Sequence, residues 1–204
     1  MRKAMRLLFI VVLASALIAS RTYATTTYNF SIDDSSGGIG TLPAGDVVLT
    51  QSGANVNVSV NLFNGNEFVN TGAGASQNFL FDGTGFTAAN ISGTGLTVSS
   101  GTLHADGTGY WQYGVVFTGQ GTGGSNKLPG PINFTVDNAT IADLTVANAN
   151  GNFFAADIIS GQNGNTGDVT TQGPPVTAPE PSTLLILGVG LVGFAAFRKR
   201  FKKI

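Results

Sequence analysis

The side chains that usually carry chemistry are scarce in this 204-residue chain: one histidine, His104, no cysteine, and two glutamates, Glu67 and Glu180. A Ser-His-Asp hydrolase needs only one histidine. However, no Gly-x-Ser-x-Gly turn is present, and His104 sits in the turn-like run Gly101-Thr102-Leu103-His104-Ala105-Asp106-Gly107, where a solvated loop histidine is expected. One histidine and no cysteine exclude a zinc site built on those ligands. Glycoside hydrolysis needs two carboxyl groups across the scissile bond. Glu67 and an aspartate are the available combination, and no spacing selects the aspartate. The sequence therefore nominates no catalytic residue, no cofactor and no metal ligand, and no enzyme is expected.

Two further groups of residues invite a binding role. Asp33-Asp34-Ser35-Ser36-Gly37, Asp82-Gly83-Thr84-Gly85 and Asp106-Gly107-Thr108-Gly109 loosely resemble oxygen-rich calcium loops. They lack the aspartate ladder and closing glutamate of an EF-hand, and turn formation by Asp-Gly accounts for them. The run Tyr110-Trp111-Gln112-Tyr113-Gly114-Val115-Val116-Phe117 is the most aromatic stretch. On a strand, Trp111, Tyr113, Val115 and Phe117 share one face. Tyr110, Trp111 and Tyr113 are the candidates for stacking on sugar rings, but Val115 and Phe117 as companions favour a core face.

Charge is segregated along the chain. Between Thr25 and Ala178 lie ten acids and one base, Lys127, a net charge of 1 − 10 = −9. Nucleic-acid binding needs clustered Lys and Arg and is excluded for this body. Leu, Ile, Val and Phe make up about a quarter of it, above the roughly 20% below which chains stay unfolded, so one domain of about 150 residues is expected.

The elements that would position these residues are strands. Asn55-Val56-Asn57-Val58-Ser59-Val60-Asn61-Leu62 alternates strictly, with Val56, Val58, Val60 and Leu62 on one face. Further strands are expected at Thr27–Ile32, Asp46–Gln51, Asn78–Asp82, Leu96–Ser100, Tyr110–Phe117, Ile132–Asp137, Asp143–Ala147 and Phe153–Ile159. Asn64-Gly65, Asn150-Gly151 and Asn163-Gly164 supply the positive φ of tight turns. Gly-Thr-Gly at Gly83, Gly93, Gly107 and Gly121 reads as loops between short strands. The expected fold is all-β, an antiparallel, jelly-roll-like β-sandwich of 8–10 strands over residues 25–172.

Both ends differ from this body. Arg2, Lys3 and Arg6 precede the apolar run Leu7–Ala19, and Thr22-Tyr23-Ala24 offers small residues for cleavage after Ala24. Residues 1–24 are thus an expected signal peptide with an apolar helix, to be handled by Sec-type export machinery and signal peptidase. Residues 173–181 form a linker with Pro174, Pro175, Pro179 and Pro181, which exclude helix and favour an extended stalk. Residues 182–197 are uncharged; at ~1.5 Å per residue they reach about 24 Å, enough for a single transmembrane helix if flanking cations snorkel. Arg198, Lys199 and Arg200 open the basic tail 198–204, the membrane stop that is expected to stay in the cytoplasm.

Ala178-Pro179-Glu180-Pro181-Ser182-Thr183, a Leu/Gly/Ala-rich run and then Arg198-Lys199-Arg200, in that order over 178–202, resembles the PEP-CTERM sorting signal of Gram-negative bacteria. Ala178 stands where members commonly have valine. The resemblance implies recognition by exosortase and processing near Pro179, Glu180 and Pro181, in bacteria that make extracellular polysaccharide. It implies an inner-membrane-anchored precursor with a periplasmic body that is later moved to the cell surface or matrix. The segment Gly123–Val136 also looks like one common in the bodies of such proteins and brings no activity with it. The expected function is a non-catalytic surface or matrix protein among exopolysaccharide in a biofilm. A carbohydrate-binding module and, behind it, a glycan hydrolase using Glu67 are the alternatives.

Overall fold

The computed structural model describes residues 23–173 and 176–177, and Thr25–Thr177 forms one compact unit. The first sheet runs in the order β13 (Val176–Thr177), β1 (Thr25–Asn29), β3 (Gly45–Ser52), β4 (Asn55–Leu62), β10 (Ile132–Val136), β7 (Ile91–Ser92). The second runs β2 (Ile32–Asp33), β12 (Thr166–Gln172), β11 (Asn152–Ile159), β6 (Phe79–Phe81), β9 (Gly109–Phe117), β8 (Leu96–Ala105), with β5 (Glu67–Phe68) also on β11. Every ladder is antiparallel.

The two sheets face each other across one apolar core. Val56, Val58 and Val60 of β4, with Ile132, Phe134 and Val136 of β10, meet Phe79, Phe81, Tyr113, Val115, Phe154, Ala156 and Ile158 of the second sheet. Period-2 alternation explains the first group, since every second residue of a half-buried strand points inward. Phe79 stacks on Phe154 and Phe81 with ring centroids 5.7 and 5.6 Å apart, and Phe81 stacks on Phe134 of the opposite sheet at 5.6 Å. Each such side chain contributes about 1.5–3 kcal/mol by leaving water.

The chain passes between sheets at a single residue step. Phe30 N–H donates to Gly45 O on the first sheet and Ser31 N–H to Thr170 O on the second. The expected strand Thr27–Ile32 is therefore two, β1 and β2. Both have the C-terminal strands as neighbours: β1 pairs with β13 and β2 with β12.

The structure departs from the sequence expectations in several places. His104, expected in a solvated loop, lies in strand β8 opposite Tyr110. β12 is a strand that was not expected, and the described residues hold thirteen strands, several of only two residues, where 8–10 were expected. Asp143–Ala147 is not a strand: Ile141–Leu144 forms one helical turn, α1. Asp143 Oδ2 accepts from Thr140 N–H at 2.8 Å and from Thr140 Oγ1 at 2.7 Å, a capping arrangement that competes with extended structure. Val176–Thr177, expected in the linker, lies in β13 against β1. And Asn64-Gly65, whose φ values are 59° and 74°, carries the chain from β4 in one sheet to β5 in the other rather than closing a hairpin. The expected signal helix, the rest of the Pro-rich linker and the transmembrane helix at 182–197 lie outside the described residues.

Candidate functional site

The aromatic candidates do not assemble into a stacking platform. Tyr110 is 61% exposed, whereas Trp111 and Tyr113 are only 2% and 3% exposed. Tyr113 belongs to the main core, with its hydroxyl donating to Phe86 O at 2.9 Å. Trp111 instead packs with Leu80, Ala105 and Ala155 in a small second cluster on the outer side of the second sheet. A register shift in β8 between Ser100 and Leu103 accompanies this break in alternation. The Trp111 indole N–H donates to Thr108 Oγ1 at 2.9 Å. Thr108 O in turn accepts from the side-chain amides of Asn148, Asn150 and Asn152. These are core and turn-fixing roles. Of these three candidates only Tyr110 presents its ring to solvent, tilted against His104 at 4.7 Å.

The other sequence candidates are scattered. Glu67 pairs with Lys127 on the surface. Asp33 closes its own loop, accepting from Ser35 and from Ile39 N–H, and these donors hold its carboxyl below the usual range despite partial burial. Asp82 accepts from Gln112 N–H at 2.6 Å. A polar cleft of about 640 Å³ lies on the first sheet, lined by groups including Thr50, Asn57, Ser59, Asn133 and Thr135, and among the described lining residues no exposed aromatic ring contributes.

The residues that the structure does bring together were not singled out from the sequence. Asp157 of β11 and Asp168 of β12 are direct cross-strand partners, on the same face as the neighbouring pair Ala155 and Thr170. That face points away from the core, because Phe154, Ala156, Ile158 and Val169 alternate with it. Both aspartates are nevertheless buried, at 0% and 1% exposure. The segment Val69–Asn78 covers this region: Thr71 N–H and Oγ1 each donate to Asp157 Oδ2 at 2.6 Å. A Cβ on Gly74 would collide with Asp157 Cβ, so only glycine permits this approach. Ala75 and Ser76 hold φ of 55° and 60°, a costly left-handed pair for residues with a Cβ. Asp106 N–H donates to Ala73 O, tying the β8–β9 turn to the same segment.

Asp157 Oδ1 and both carboxylate oxygens of Asp168 are buried and meet no hydrogen-bond donor among the described residues. Burial pushes the Asp157 carboxyl up to about 6, with Thr71 opposing the rise. Asp168 is pushed up to about 8, first by burial and then by the charges of Asp157, Asp34 and Asp106. Asp34 is also raised by burial, although Thr170 Oγ1 donates to it at 2.7 Å. Like charges directly opposite on a sheet repel. Two ionised, desolvated carboxylates with so few donors are unfavourable. Among the described residues no set of three or more His, Asp or Glu side chains converges in metal-binding geometry.

Among the described residues no helix is long and apolar enough to cross a membrane. Pro179, Glu180, Pro181, Arg198, Lys199 and Arg200 lie outside those residues. No curated protein and no solved structure matches the chain. At the C-terminal end, residues 177–200 match the family model of the PEP-CTERM protein-sorting motif, and that motif marks the chain as an exosortase-sorted protein made as an exported, membrane-anchored precursor.

Proposed function

We propose that this chain is a non-catalytic surface or extracellular-matrix protein, associated with exopolysaccharide or biofilm, whose jelly-roll-like β-sandwich is delivered by exosortase. The observation that carries the reading is the sorting motif at 177–200. Residues 1–24 direct Sec-type export and are removed by signal peptidase, and 182–197 span the inner membrane with the body in the periplasm. Arg198, Lys199 and Arg200 stop translocation, since a charge at the bilayer centre costs roughly 2.5–3.5 kcal/mol on insertion scales. Pro179, Glu180 and Pro181 form an extended segment that cannot join the membrane helix, which leaves it open to an integral enzyme. The pairing of Glu67 with Lys127 supports a body without a free catalytic glutamate.

The test is membrane fractionation and the size of the released product. Glu180→Ala with Pro181→Ala leaves insertion intact and blocks release; unchanged processing sinks the sorting mechanism. A second reading, a carbohydrate-binding body, is favoured by the polar cleft on the first sheet rather than by Tyr110, Trp111 and Tyr113. A glycan array separates the two: binding lost in Asn57→Ala with folding intact supports the module, and no binding supports a purely structural body.

A further inference from the structure

We propose that the pairing of β13 with β1 is a latch on the sorting signal, which must open before Pro179, Glu180 and Pro181 are processed. The latch presupposes the exosortase reading of residues 177–200. Thr177 is the first residue matched by the sorting motif, and it is also the last residue of β13, opposite Thr26. Its neighbour Val176 is opposite Thr27. The folded body and the sorting signal therefore share a residue. β13 is the outermost strand of the first sheet, and among the described strands only β1 pairs with it. The sequence also keeps this pairing short. Pro174 and Pro175 before Val176, and Pro179 after Ala178, carry no N–H and cannot donate to a ladder. Only Val176, Thr177 and Ala178 remain between these prolines, and the first two of them pair.

Chain length sets what the latch controls. With β13 seated, Pro179 is two residues from Thr177, and no more than about 7 Å of extended chain can separate them. A body of about 150 residues has a radius of gyration of about 15 Å, so its bulk crowds an enzyme that reaches for the motif from the membrane. With β13 released, the free chain runs from Gln172, the end of β12, to Pro179. That length reaches about 22–25 Å when extended, longer than the radius of the body. The backbone gives a second reason. Grooves that take peptides in extended form pair with a strand edge, and β1 already takes one edge of Val176–Thr177. A two-residue antiparallel ladder holds about two hydrogen bonds of modest net strength, so the closed form should outweigh the open one about ten- to a hundredfold. Such a bias delays processing without preventing it.

The experiment is pulse-chase release of the full chain in cells that carry exosortase, read by membrane fractionation and the size shift on a gel. The chain has no cysteine, so Thr26→Cys with Thr177→Cys, or Thr27→Cys with Val176→Cys, introduces only the pair that locks the latch as a disulfide. The locked chain should stay in the membrane, with release slowed at least about tenfold, and reductant should restore it. A Gly/Ser spacer of about six residues between Thr177 and Ala178 should also restore release of the locked chain, because it supplies the missing length while the latch stays closed. In the otherwise native chain the same spacer should speed release about tenfold, and this arm decides if the disulfide does not form. Release of the locked chain at the native rate, a stall that neither reductant nor spacer relieves, or an unchanged rate with the spacer in the native chain overturns the latch. The sorting reading fails by a separate result, release of Glu180→Ala with Pro181→Ala at the native rate, and the latch falls with it.

Discussion

Replacing Asp168 by asparagine should stabilise the protein, by an amount that grows with pH. The folded carboxyl titrates near 8, against 3.8 for the free side chain. A raised carboxyl pKa means that the folded state holds a proton which the unfolded state has released. This contribution is therefore most favourable near pH 4 and below, and it is lost progressively up to about pH 8. Each unit is worth about 1.4 kcal/mol, so raising the pH from 4 to 7 removes up to roughly 4 kcal/mol. The repulsion is shared with Asp157, whose own carboxyl relaxes once Asp168 is neutral, so about 2 kcal/mol is the net expectation for the variant. For a domain of this size that is a rise of about 4–8 °C in Tm. Asp33 and Asp143, whose carboxyls are lowered by hydrogen bonds, act in the opposite direction with pH. They are common to both proteins and cancel in the difference. Melting curves at pH 5 and pH 8 supply the assay. The two proteins should melt within a degree or two of each other at pH 5 and separate at pH 8, with the variant higher. A variant that melts lower by the same margin at both values refutes the reasoning, because Asp168 would then be an ionised group with partners worth losing.

Three other outcomes follow from the packing. Phe79→Ala empties the aromatic stack between the sheets and should cost about 3–5 kcal/mol in chemical denaturation; a cost below 1 kcal/mol would mean that the sheets do not close on this ring. Trp111→Ala should lower Tm through the loss of a buried indole and its bond to Thr108, without altering any glycan binding measured on an array. Gly74→Val should drive the covering segment off Asp157, seen as faster hydrogen exchange in 69–78 while exchange in β4 and β10 stays unchanged.

Strand existence was largely legible because half-buried strands declare themselves by alternation. Val56, Val58 and Val60 face the core as their spacing requires. β12 was not legible: Thr166-Gly167-Asp168-Val169-Thr170-Thr171-Gln172 has one large apolar residue, yet five of its seven positions are buried. Its outer face is covered by another part of the chain, so polar residues were buried where the pattern implies exposure. The same covering hid the acid pair. Asp157 and Asp168 are eleven positions apart and resemble loop acids on inspection, and only the β11–β12 register sets them opposite each other. Of the Asp loops weighed as loose calcium sites, the first is closed by Asp33 itself, which accepts from Ser35 and from Ile39 N–H. The aromatic run was legible as core, since Trp111 and Tyr113 are both buried, but the shared face was not: Trp111 packs with Leu80, Ala105 and Ala155 apart from Tyr113.

Composition and order along the chain mark this protein for exosortase sorting without any folding argument. A sorting signal is read by membrane and enzyme as a local string, with prolines, an apolar run and cations in sequence, and residues 177–200 carry that string in their own chemistry. Alternating Val and Asn likewise committed the body to sheets, because the period of a strand is a property of adjacent residues. What lies buried on the outer side of the second sheet was decided by tertiary structure alone. Desolvation and repulsion at Asp168 arise from groups that are remote in sequence, and they come into being only when Val69–Asn78 closes over two strands already in register.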